Sequence, residues 1–102
     1  MQMKLKLTVV ATIAMVAGFA SAQEEAIVKI GHVGPMSGSQ AHYGKDNENG
    51  VRMAIDDLNK QNIIIGGKKI KFEIAAEDDA ADPKQGTAVA QKLCDSKVAG
   101  VV

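Results

Sequence analysis

Between Ile27 and Val102 the apolar pattern switches four times between a two-residue and a 3.6-residue period. Few architectures accept that order. Ile27-Val28-Lys29-Ile30-Gly31-His32-Val33 is rich in β-branched residues and predicts a strand ending at the Gly34-Pro35 breaker. Pro35, Gly38 and the serines beside them predict a tight loop, with Ser39 as candidate N-cap. A helix follows from Ala41 to Lys60, because Val51, Ala54, Ile55 and Leu58 recur at i, i+3, i+4 and i+7. Gly44 and Gly50 weaken it, each by about 1 kcal/mol against alanine. Ile63-Ile64-Ile65 predicts a short strand that turns back at Gly66-Gly67, where a two-residue hairpin needs positive φ. In the longer strand from Lys68 to Glu77, Ile70, Phe72, Ile74 and Ala76 face one way and Lys71, Glu73 and Glu77 the other. That alternation predicts one buried face or a strand near a sheet edge.

The second helix has the sharper start: Asp82 as N-cap, Pro83 at the first helical position and Gln85 three residues after the cap. Thr87, Ala90, Leu93 and Cys94, joined by Val89, recur on one face, which places Cys94 in the core. Val98 to Val102 predicts a last strand. Strand, helix, strand, helix, strand with helical connections implies parallel strands and right-handed crossovers. The expected fold class is therefore α/β, a βαβαβ portion of a doubly wound parallel sheet. Such sheets bind ligands outside the carboxyl ends of their strands. Here those ends are the Gly34–Gly38 loop, the Asp78–Asp82 loop and whatever follows Val102.

Residues 1–22 are of another kind. Lys4 and Lys6 form a positive start, and Leu7 to Phe19 an apolar run broken by Thr8, Thr12 and Gly18. Ala20-Ser21-Ala22 then supplies the small-x-small pattern of a signal-peptidase site. We expect an export signal cleaved between Ala22 and Gln23. A membrane span needs about 20 apolar residues, whereas this run is shorter and is followed at once by Glu24-Glu25. The segment holds 15 of the 47 hydrophobic residues, leaving 32 in residues 23–102. That remainder carries 10 basic and 12 acidic side chains, which argues against a general nucleic-acid binder. Eighty residues allow one small domain at most, with a net core stability of about 3–5 kcal/mol. The lone Cys94 has no partner for an internal disulfide in an oxidising compartment.

The spacing of Gly31, Gly34 and Gly38 is neither a dinucleotide fingerprint nor a P-loop. It is a strand-to-helix turn, and a pure turn role stands beside the alternative that its backbone N–H groups face a polar or anionic ligand. Ser37 and Gly38 in that turn are candidate ligand-binding residues. Tyr43 is one of two aromatics after residue 22, the other being Phe72. Packing beneath the loop and apolar contact with a ligand stand as equal alternatives for it. Asp78-Asp79 at a strand end could form an acidic metal pocket of the phosphoacceptor kind. Export argues against that chemistry, and loop solvation and capping explain the aspartates. His32 and His42 stand ten residues apart with no cysteine or Glu-x-x-His partner, so no zinc site is expected. No serine sits in a nucleophile elbow. We expect no catalytic residue, no metal and no cofactor.

Several blocks together resemble one family. Lys29 to Gly38 with Tyr43-Gly44, Asn49 to Asn59, Ile65 to Ile70, Glu77 to Gln85, Ala88 to Leu93 and Val98 to Val102 resemble periplasmic branched-chain amino-acid-binding proteins, the leucine-binding-protein-like receptors of ABC importers. Asp78-Asp79-Ala80-Ala81-Asp82-Pro83 is the most specific of these. The resemblance implies a two-lobed, longer protein in the periplasm whose lobes close on an amino acid and dock on an inner-membrane permease. It also implies that Tyr43 lines the pocket for the ligand's side chain, while groups for the carboxylate and ammonium come mostly from segments after the last strand. Some relatives carry a cysteine where Ala81 stands, bridged to one beyond that strand; Ala81 breaks the pattern, and Cys94 on the second helix does not replace it.

Residues 23–102 are thus expected to be the incomplete N-terminal part of such a domain, non-enzymatic, with branched-chain or related amino acids as ligand. The rival expectation is a truncated structural or interaction module with exposed sheet edges. A weaker one is an extracellular ligand-sensing domain of the same fold.

Overall fold

The computed structural model describes residues 23–102, so the expected export signal and its cleavage after Ala22 lie outside the described residues. The element order is β1 Glu25–Gly34, α1 Ala41–Lys60, β2 Ile64–Ile65, β3 Lys68–Asp78, α2 Pro83–Asp95 and β4 Gly100–Val101. The four strands form one sheet in the order β2-β3-β1-β4. β1 runs parallel to β3, in register from Glu25↔Lys69 to Gly34↔Asp78, and parallel to β4 at Ile30↔Gly100 and Gly31↔Val101. β2 is the antiparallel exception, folded back on β3 through Gly66 and Gly67 at φ 59° and 76°. Both angles lie in the left-handed region that a type I′ hairpin turn requires at its two central residues.

α1 carries the chain from β1 to one neighbour, and α2 carries it back across β1 to the other. The order therefore reverses at β1, as in doubly wound α/β sheets. The two helices lie on opposite faces, which alternate residues of β1 report. A Cβ placed on Gly31 would stand 3.1 Å from the Leu93 side chain of α2, whereas one on Gly34 would stand 3.6 Å from the Gly44 backbone of α1. Among the described residues, Ile55 of α1, Ile70 of β3 and Leu93 of α2 are the buried apolar ones.

Three local expectations are corrected. Ser39 does not cap α1: the N-cap is Gln40, with no side-chain bond. The backbone does that work instead, because Ala41 N–H donates to the Gly38 carbonyl and Tyr43 N–H to that of Gln40. Asp82 does cap α2, accepting from Lys84 N–H, with Pro83 just inside the helix. Gln85, however, turns its amide to the Asp78 carbonyl at 3.1 Å rather than back to the cap. Cys94 is exposed, not part of the core. Thr87 and Ala90 are exposed with it, and the inward stripe of α2 is Gly86, Val89 and Leu93. The phase shifts because Gly86, which carries no side chain to mark a face, lies inward with its notional Cβ 3.8 Å from Asp79.

Candidate functional site

The carboxyl ends of β1 and β3 open side by side, since Gly34 pairs with Asp78 in the last rung of the ladder. The loop from Pro35 to Gln40 and the loop from Asp79 to Asp82 therefore project from the same end of the sheet. They are tied together by one side chain. Asp78 Oδ1 accepts from Met36 N–H at 2.7 Å and from Ala80 N–H at 2.8 Å, while Oδ2 accepts from the Ser37 hydroxyl at 2.6 Å. Asp79 N–H adds a bond to the Gly34 carbonyl at 3.1 Å. The sequence pattern assigned Asp78 to solvation and capping; the structure makes it the strut between the two loops. Only the register of two strands far apart in sequence brings it to Ser37, so no local signal marks this role.

The three hydrogen bonds favour the ionised carboxylate. The Ser37 hydroxyl chiefly, then the Met36 and Ala80 N–H groups, hold the Asp78 carboxyl below the ordinary aspartate range, against a smaller opposing effect of desolvation. A carboxyl lowered in the folded state stabilises it fully above the unfolded value, about 3.9, and loses that contribution as pH falls through the folded value. Asp78→Ala is therefore expected to weaken the chain at pH 7 and to flatten its stability loss below about pH 4. Urea midpoints at both pH values measure this. A variant that loses stability with acid as steeply as the parent counts against the strut.

The candidate residues take different places around this tie. Ser37 has its hydroxyl proton committed to Asp78, leaving oxygen lone pairs to meet a donor. Gly38 sits at φ 79° with open space where a side chain would be, at the turn that feeds α1. Tyr43 is 60% exposed in the first turn of α1, its ring 4.0 Å from that of His42 and tilted by 37°. It does not pack beneath the loop. The neighbouring residue does: Gly44 is buried against Pro35, so close that a Cβ on it would overlap the Pro35 carbonyl.

Met36 N–H, one of the loop groups expected to face a ligand, is taken by Asp78 instead. The opposite loop is held by Asx turns, with Asp79 Oδ1 accepting from Ala81 N–H at 2.8 Å, and by Asp82 N–H donating to the Asp79 carbonyl at 2.9 Å. Ala80 and Ala81 both adopt positive φ, 51° and 54°, a conformation that disfavours a Cβ by about 1 kcal/mol or more per residue. The two histidines part company. His42 lies on the surface beside Tyr43, while His32 is 2% exposed on β1 with no hydrogen-bond partner at Nδ1. Among the described residues, no three His, Cys, Asp or Glu side chains gather as metal ligands would.

The arrangement is a short wall of backbone and small polar groups with one projecting aromatic ring. The family model described as periplasmic binding protein matches residues 27–102. A leucine-, isoleucine-, valine-, threonine- and alanine-binding protein of Pseudomonas aeruginosa is 41% identical over 88 residues, which is 85% of this chain and 23% of the relative. A Leu/Ile/Val-binding protein of Rhizobium johnstonii is 39% identical over 75 residues, 74% of this chain and 20% of its own length. The crystal structure of the branched-chain amino acid transporter substrate binding protein LivJ from Streptococcus pneumoniae, in complex with isoleucine, superposes with a TM-score of 0.64 at 31% identity. It covers 74% of this chain, which in turn spans 21% of it. The chain thus spans about a fifth of the length of these relatives.

Proposed function

Because the chain belongs to the periplasmic binding protein family, we propose that it forms one wall of an amino-acid site in the substrate-binding component of an ABC importer. The family is one of solute-binding proteins rather than enzymes. The family match over residues 27–102, together with relatives named for binding leucine, isoleucine and valine, is the observation that carries this proposal. Branched-chain or related amino acids are the proposed ligands, the periplasm the proposed location and an inner-membrane permease the proposed partner.

The chemistry of the wall supports the assignment. An aliphatic side chain needs an apolar surface, and the exposed face of Tyr43 offers one without the desolvation cost that a charged group would bring. Ser37 and Gly38 supply small polar groups that let the ligand approach the turn closely. Asp78 holds that turn in place through Ser37 and Met36 before any ligand arrives. Such preorganisation spares the ordering cost of a loop on binding.

A chimera tests this directly. Residues 27–102 replace the matching segment of the Pseudomonas aeruginosa relative, and calorimetry follows titration with leucine, isoleucine, valine, threonine and alanine. The expected result is binding, with Tyr43→Ala weakening leucine at least about tenfold and Tyr43→Phe retaining it. A folded chimera that binds none of the five overturns the ligand assignment. Equal leucine affinity in the Tyr43→Ala form overturns the role of Tyr43 alone.

A further inference from the structure

Beyond the short antiparallel β2, which covers Lys68 and Lys69, the outer edge of β3 is closed by side chains rather than by a strand. Lys69 N–H bonds the Glu24 carbonyl and Asp79 N–H that of Gly34, so the odd-numbered residues of β3 point their backbone groups at β1. The even-numbered ones therefore point outward. Ile70 N–H is taken by the Ile63 carbonyl at 2.8 Å. At Phe72 the Asn59 amide supplies both partners a strand would offer: its Oδ1 accepts from Phe72 N–H at 2.8 Å and its Nδ2 donates to the Phe72 carbonyl at 2.9 Å. At the far end the Gln85 amide donates to the Asp78 carbonyl. Among the described residues, Ile74 and Ala76 are the outward positions with neither backbone group bonded, a window of about 7 Å between their centres.

A natural strand runs about five to six residues. Because only alternate residues face outward, such a strand would engage about three outward positions in a row; the five from Ile70 to Asp78 offer that, and the amides leave two adjacent ones open at both groups. Asn59 is the next-to-last residue of α1, a place from which its amide can reach past the helix end to the strand edge. Gln85 occupies the position from which a capping box would satisfy the N-cap N–H, and that group is already bonded to Asp79. Both amides are thus spent on the edge. An exposed, unblocked edge is a template for another chain. We infer that Asn59 and Gln85 are plugs that keep β3 from accepting a strand of a second copy of this chain.

The test compares the full chain with its Asn59→Ala/Gln85→Ala variant by amide hydrogen exchange across a concentration series. In the variant, exchange at Phe72, Ile74 and Ala76 is expected to slow about tenfold from the micromolar to the millimolar range, as added strands cover them; the parent shows no such change. The opposite edge of the sheet, at β4, serves as internal control. Concentration dependence confined to Gly100–Val102, or none at all in a folded variant, overturns the inference. Should the double alanine variant fail to fold, Asn59→Asp/Gln85→Ala keeps an acceptor for Phe72 N–H while repelling its carbonyl. Exchange at Ile74 and Ala76 in that form then decides in the same way.

Discussion

Gly44→Ala is expected to abolish stable folding of the chain, whereas Gly50→Ala, six residues along the same helix, is expected to stabilise it. Helix propensity favours both changes by about 1 kcal/mol. At Gly50 nothing lies within 4 Å of the new methyl group, so the propensity gain stands alone. At Gly44 the methyl meets the Pro35 backbone, and its ideal position overlaps the carbonyl oxygen. A backbone carbonyl cannot swing aside like the end of a flexible side chain. Either α1 backs away from the β1–α1 loop or the loop leaves Asp78. Overpacking of this kind costs about 3 kcal/mol or more, comparable with the whole net stability of about 3–5 kcal/mol that a domain this small commands. Denaturant unfolding of the two variants beside the parent measures the contrast. Two midpoints shifted in the same direction would mean that Pro35 and Gly44 are not in contact.

Leu93→Ala carries the second large effect. Leu93 is 1% exposed and is the one residue of α2 that is fully buried; its tip lies where a side chain on Gly31 would have to go. Removing three heavy atoms from that site costs the transfer free energy plus the cavity, about 2–5 kcal/mol for buried leucine to alanine. Cys94→Ala, one position on, should change stability by less than about 0.5 kcal/mol, because Cys94 faces solvent. The pair is a direct measure of the helix phase. If Cys94→Ala were the more damaging, the inward stripe would run through Thr87, Ala90 and Cys94, as the apolar residues alone suggest.

These two cases show where the sequence pattern carried and where it stopped. α1 is legible because four apolar residues repeat at helical spacing across its second half, and both its ends match the expected Ala41 and Lys60. The hairpin is legible because only glycine accepts two successive positive φ angles at low cost. α2 is legible at its start, through Asp82 and Pro83, and misread in its phase, because a glycine that faces inward leaves no apolar mark. At the carboxyl ends of β1 and β3, residue type and loop position single out Ser37, Gly38 and Tyr43. Asp78 was not given its role, since it acts through Ser37 and Met36, more than forty residues away.

Local spacing by itself determined the element order, the hairpin and the α/β class, because each rests on neighbours within one or two turns of chain. The tertiary structure decided which of the two glycines of α1 is indispensable, which side of α2 is the core and which aspartate braces the loops. Each of those depends on what stands opposite: a Pro35 carbonyl against Gly44, a glycine of β1 against Leu93, and a serine brought to Asp78 by strand register. Period and propensity are properties of one segment, whereas close approach is a property of two.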